Sequence, residues 1–124
     1  MYLDSIFNSI INTTEKNKDQ LTMDSIDNYL NLRDSKNFDE KWSLAYEYFN
    51  DIDHKNKAFL SNEKELRERL FKKVAQLTQS YELAEYISDD GGLIYANLYF
   101  KSKNSFVEHI YQCYENNLLP LSPI

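Results

Sequence analysis

Glycine and proline are almost missing: two of each occur in 124 residues, and both prolines, Pro120 and Pro123, lie in the last five positions. A β protein punctuates its interior with turn residues, so this scarcity excludes a turn-rich sheet architecture and favours helices. Cys113 is the only cysteine, which excludes an internal disulfide and fits a reducing compartment. No uninterrupted apolar run approaches the roughly 18 residues of a transmembrane helix. The segment from Met1 to Asn12 is apolar but carries Asp4 and no basic residue, unlike a secretory signal. We therefore expect a cytoplasmic protein without membrane association.

What is present is material for burial. Hydrophobic residues make up 42% of the chain and aromatics 15%, with ten Tyr and seven Phe, far too many for a disordered chain. The length allows one core and not two. The expected fold is all-α, a compact single-domain bundle of about six to seven helices spanning residues 1–124.

Apolar spacing places the helices. Leu3, Ile6, Phe7, Ile10 and Ile11 share one helical face, and the polar run from Thr13 to Gln20 closes a helix over 2–14. Thr22 caps a short second helix whose face is Met23, Ile26, Tyr29 and Leu30. Phe38, Trp42, Ala45, Phe49 and Ile52 mark an amphipathic helix over 38–52 with Asn37 as its cap, followed by a loop from Asp53 to Lys57. Within it Trp42 is read as core, so that Trp42→Ala costs about 3 to 5 kcal/mol.

Asn62 and Glu65 form a capping box for a long helix with the stripe Leu66, Leu70, Phe71, Val74 and Leu77. Its exposed face neutralises itself through the pairs Glu65–Arg69 and Glu68–Lys72. Ser80 opens a helix to about Ser88, Asp89-Asp90-Gly91-Gly92 breaks it, and a centrally buried segment follows over 93–100, in which Asn97 needs a hydrogen-bond partner. Ser105 and Glu108 form a second capping box, and Phe106, Val107, Ile110, Cys113 and Tyr114 line the last helix. The tail from Leu118 packs loosely.

The formal charge is −6 and is unevenly distributed. Residues 19–53 hold Asp19, Asp24, Asp27, Asp34, Asp39, Glu40, Glu47, Asp51 and Asp53 against only Arg33, Lys36 and Lys41, which accounts for the whole excess. Such a field repels nucleic acid and speeds encounter with a basic surface, so direct DNA or RNA binding is not expected and a cationic protein partner is.

Constellations for chemistry are weak. His109 and Cys113 lie one turn apart, but two ligands are too few for a metal and the cysteine sits on an apolar face. Asp51-Ile52-Asp53 opens like a calcium loop, yet the sixth position is Asn56 where glycine is needed and the twelfth is Asn62 where glutamate is needed. Gly91-Gly92 lacks the lysine and spacing of a phosphate cradle and follows two acids. No catalytic residue, metal or cofactor is expected, and the chain is not read as an enzyme.

Asp89 and Asp90 are either helix caps or partner contacts. Glu47 and Asp51, like charges one turn apart, have no local cation to offset them, and Tyr46 and Tyr48 flank that face. The plain alternative is a solvated face with the tyrosines at the edge of the core. The partner-binding residues proposed from sequence are Glu40, Tyr46, Glu47, Tyr48, Asp51, Asp53, Asp89 and Asp90.

The segment Glu82-Leu83-Ala84-Glu85-Tyr86-Ile87-Ser88-Asp89-Asp90, then Gly91-Gly92-Leu93-Ile94, together with the Phe106 to Tyr114 helix and the Leu118-Leu119-Pro120 ending, resembles small helical bacterial immunity proteins encoded beside polymorphic toxins. The resemblance implies an inhibitor that binds one cognate toxin, often a nuclease, delivered by contact-dependent growth inhibition or a related system, and it brings no catalytic residues. A nuclease grips phosphate with Lys and Arg, so an acidic, aromatic-rich inhibitor would complement it. The second reading is an acidic adaptor or nucleic-acid mimic that occupies a basic DNA-binding protein.

Overall fold

A hydrophobic stripe that recurs every three to four residues has to be buried against other stripes, and among the described residues six helices do so around one continuous cluster of apolar side chains. The computed structural model describes residues 2–53 and 56–120, with the side chains of 51–53 left out. The helices are α1 (Tyr2–Asn17), α2 (Met23–Arg33), α3 (Lys36–Asp53), α4 (Lys57–Thr78), α5 (Tyr81–Tyr99) and α6 (Ser105–Glu115), with a 3-10 turn, Lys18–Gln20, after α1. The all-α expectation holds. Among the described residues there is no strand, and no helix is long and apolar enough to cross a membrane.

The element at the centre is α5. It packs along α4 over its length and also meets α1, α3 and α6, so Leu83, Ala84, Ile87 and Leu93 to Ala96 are all buried. The helix does not break at Asp89-Asp90-Gly91-Gly92; it runs straight through. The two glycines are there for proximity. A Cβ on Gly91 would stand 2.3 Å from Leu70 Cδ1 and one on Gly92 2.8 Å from Arg67 Cδ, so glycine lets α4 lie close against α5. The propensity cost of about 1 kcal/mol per glycine is offset by that packing. The expectation that Asp89 or Asp90 caps a helix falls with the break, since both lie inside one.

Other boundaries also move for physical reasons. Helix α1 continues past Thr13 and Thr14 because both are buried, with Thr14 Oγ1 donating to the Ile10 carbonyl and Thr13 Oγ1 within 2.7 Å of the Tyr114 carbonyl. Thr22 does cap α2, accepting from the Ser25 N–H, but Met23 is 83% exposed and Arg33 takes its place on the inward face. Asn37 lies within the first turn of α3 and is no cap. Asn56 caps α4, accepting from the Phe59 N–H at 2.9 Å, so the helix starts well before Asn62 and brings Phe59 into the core. The amide of Asn62 reaches Tyr95 Oη instead. The i,i+4 ion pair on α4 is Glu63–Arg67, while Arg69 turns to α1, over the Phe7 ring and near Asp4. At α6 the cap is Asn104, whose own N–H is accepted by Asn97 Oδ1, the partner that Asn97 needed.

The chain after α6 is held more firmly than expected up to Pro120. Leu118 is exposed, but Pro120 is buried and its carbonyl accepts from the Tyr29 hydroxyl. Residues 121–124 lie outside the described residues.

Candidate functional site: a charged knot beneath an acidic ridge and a cleft

A base on an apolar helix face must find an acid, because a buried unpaired charge is very costly. On α2, Arg33 follows Ile26, Tyr29 and Leu30 on the inward face and is 4% exposed; on α5, Asp90 follows Leu83 and Ile87 on the inward face and is fully buried. The two meet as a fork: Arg33 Nη2 is 2.7 Å from Asp90 Oδ1 and Nη1 is 3.0 Å from Oδ2. Trp42 Nε1–H donates to Oδ1 at 2.9 Å and the Tyr114 hydroxyl to Oδ2 at 2.7 Å, so α2, α3, α5 and α6 converge on one carboxylate.

Tyr29 Oη accepts from Arg33 Nη1 and donates to the Pro120 carbonyl, which ties in the tail. The Arg33 guanidinium lies 4.5 Å from the centre of the Phe38 ring. Burial works most strongly against the Arg33 charge, but Asp90, Tyr29 and Tyr114 together outweigh it and hold the guanidinium protonated more firmly than usual. Burial and the Asp90 charge together push the Tyr114 phenol well up, so it remains a donor. Sequence reading missed this knot, although each member sits at helical spacing within an apolar stripe; the assumed break at Gly91 hid the register of Asp90.

The knot decides what faces outward. Among the described acids of the sequence-acidic segment, Asp19, Asp24, Asp27, Asp34, Asp39, Glu40 and Glu47 are all exposed. Arg33, one of its three cations, is turned inward to an acid from another part of the chain, so the surface here is more acidic than the sequence sum. Glu40 and Glu47 form the outer ridge of α3, on the side opposite Phe38 and Phe49. Tyr46 and Tyr48 are 53% and 50% exposed on its two flanks. Asp51 and Asp53 close α3, and their side chains lie outside the described residues. Asp90 presents nothing to the surface and leaves the candidate set.

On the Tyr46 flank the ridge falls into a cleft of 410 Å³ between α3, α4 and α5. Trp42, Tyr46 and Phe49 form one wall, Leu60, Glu63 and Arg67 the other, and Gly92, Leu93 and Ala96 the floor, with Asp89 at one end. Trp42 and Tyr46 stack at 5.8 Å with their planes 15° apart. The Arg67 stem crosses over Gly92, and its head spans Glu63 at 3.6 Å and Asp89 at 3.4 Å. Burial raises the Asp89 carboxyl and Arg67 only partly restores it.

Trp42 and Asp89 also line a smaller notch with Arg33, Asp34, Phe38, Asp39 and Tyr86. In it the Tyr86 hydroxyl donates to Asp34 at 2.6 Å, which pushes the phenol up to about 12. The structure thus brings Tyr46 and Asp89 to one cleft and leaves Glu40, Glu47 and Tyr48 on the ridge beside it.

Trp42 is only half-buried, a correction to its reading as core, because one edge is drawn inward by Asp90 while the ring borders both hollows. Trp42→Phe is therefore expected to cost about 1 to 3 kcal/mol, the penalty for leaving a buried carboxylate one donor short. Urea unfolding followed by circular dichroism measures it.

The last helix carries no reactive centre of note. Cys113 Sγ lies 3.8 Å from His109 Nε2, and burial with the Asp90 charge pushes the thiol up, away from thiolate. Among the described residues no group of three His, Cys, Asp or Glu side chains is placed to hold a metal ion.

Neither a curated protein nor a solved structure matches this chain. A family model described as immunity protein PIM1 matches residues 5–121, nearly the whole chain and every helix that builds the knot, the ridge and the cleft, and the chain belongs to that immunity protein family.

Proposed function

We propose that this protein binds and neutralises one cognate toxin domain through the acidic ridge of α3 and its tyrosine flanks, and that the toxin presents a basic surface of the kind nucleases use to hold phosphate. The observation that carries this is the outward set of seven carboxylates on and before α3, left without Arg33 by the buried pair with Asp90. Glu40, Tyr46, Glu47 and Tyr48 form the contact surface, and Asp89 joins them from the cleft. Tyrosine adds apolar contact area and a hydroxyl at little entropic cost, which suits an interface rimmed by carboxylates. Family membership supports the toxin as partner, and the lone thiol fits action in the cytoplasm against a toxin delivered by a competing bacterium.

Co-expression with the product of the adjacent gene tests the reading through growth rescue and co-purification. The Glu40→Lys/Glu47→Lys variant is expected to associate about tenfold more slowly at low salt, with the difference fading as salt is raised and thermal stability nearly unchanged. Stopped-flow association rates across a salt series measure this. An unchanged rate would remove the ridge from the interface.

A further inference from the structure

We infer that the cleft between α3, α4 and α5 is a socket for one arginine side chain of the toxin, whose guanidinium lies against the Trp42–Tyr46 stack and takes Asp89 from Arg67. This deepens the proposed function and rests on it for the identity of the partner.

Three features of the cleft select such an occupant. Its 410 Å³ falls in the range of about 300 to 1,000 Å³ typical of sites that enclose a ligand group, so it has room for a whole side chain. Its wall is a parallel aromatic pair, with Tyr46 53% exposed, and a flat aromatic face attracts a planar cation. Its end is Asp89, part of a field that includes Asp34 and Asp39 in the adjoining notch, which repels anions and a second copy of this acidic chain alike.

Arg67 already shows what the socket accepts, and also that it is held loosely. Its contacts to Glu63 and Asp89 are long, at 3.6 and 3.4 Å, and its side chain is 44% exposed, the regime in which an ion pair adds little. Burial still raises the Asp89 carboxyl in spite of Arg67, so a second, better-aligned cation is favoured there. Arginine fits better than lysine because its planar fork can stack on the rings and meet a carboxylate in the same pose.

The socket has a built-in reporter, since Trp42 is the only tryptophan and lines the cleft. Titrating the full chain with hexa-arginine and hexa-lysine peptides at equal ionic strength is expected to give a saturable change in tryptophan emission that is clearly stronger for arginine. Tyr46→Ala and Asp89→Asn are each expected to weaken arginine-peptide binding about tenfold, and Arg67→Met, which keeps the stem over Gly92, to tighten it several-fold.

In the toxin complex the same Tyr46 and Asp89 variants speed dissociation and leave the association rate alone, opposite to the ridge reversals. Circular dichroism melts confirm that each variant folds. If both peptides bind alike and none of the three variants changes them, the socket is wrong even where the ridge reversals still slow toxin association. If arginine selectivity and its loss in the variants are seen while no toxin binds, the socket stands and the proposed function falls.

Discussion

Asp90→Ala is expected to remove about 3 to 5 kcal/mol of stability, a large share of the roughly 5 to 15 kcal/mol that holds a domain of this size folded. The carboxylate is fully buried and takes four hydrogen bonds from three residues, Arg33, Trp42 and Tyr114. Removing it leaves the Arg33 guanidinium as an uncompensated charge, 4% exposed and with no partner for its Nε among the described residues. It also releases the hydrogen bonds that α2, α3 and α6 make to α5 at this point, which add to the packing of α3 and α6 against α5.

The pair as a whole stabilises far less than the loss of one member costs, because desolvating two charges offsets most of their attraction. The double variant Arg33→Met/Asp90→Leu is therefore expected to recover part of the stability that Asp90→Ala loses, the remainder reflecting the Trp42 and Tyr114 donors left without their acceptor. Urea unfolding of the wild type, single and double variants decides the matter. A loss below about 1 kcal/mol for Asp90→Ala would mean that water enters the knot and screens it.

Phe59→Ala has an effect of similar size through a different cause. Phe59 is fully buried, stacks on Tyr95 at 5.2 Å with planes 3° apart, and meets Tyr99 and Phe100 at 5.2 and 4.9 Å. Truncation leaves a cavity that these rings cannot close, and the expected cost is about 3 to 5 kcal/mol. The first turns of α4 should then exchange amide hydrogens much faster than the Leu66 to Val74 stretch, which hydrogen exchange would resolve. Loss of protection spread evenly over the chain would show instead that this end of α4 opens only with the whole domain. Among molecules that remain folded, toxin association should be unaffected, since Phe59 is fully buried and does not line the cleft.

How much of this was visible in the letters depends on whether the deciding contact is local. The stripe Ile6, Ile10 and Ile11, the stripe Phe38, Ala45 and Phe49, and the caps at Thr22 and Ser80 all act within a turn or two, and all were readable. Asn56 as a cap was missed because Asn62 three residues before Glu65 imitates one, and the imitation failed once Asn62 had Tyr95 within reach. Gly91-Gly92 read as a stop because glycine has low helix propensity. Only the nearness of Leu70 and Arg67 on α4 shows that glycine here is a clearance for a neighbouring helix.

The same division holds for the site. Composition and spacing determined an all-α chain, a negative charge gathered in residues 19–53, and a ridge of Glu40 and Glu47 flanked by Tyr46 and Tyr48, since helical periodicity alone sets which side chains share a face. Tertiary structure decided that Arg33 and Asp90, 57 residues apart, neutralise each other inside, that Trp42 is shared between that pair and the surface, and that Tyr46, Arg67 and Asp89 border one cleft. Pairing across such separations depends on how helices dock, and docking is settled by the summed burial of many stripes, which no local run of residues contains.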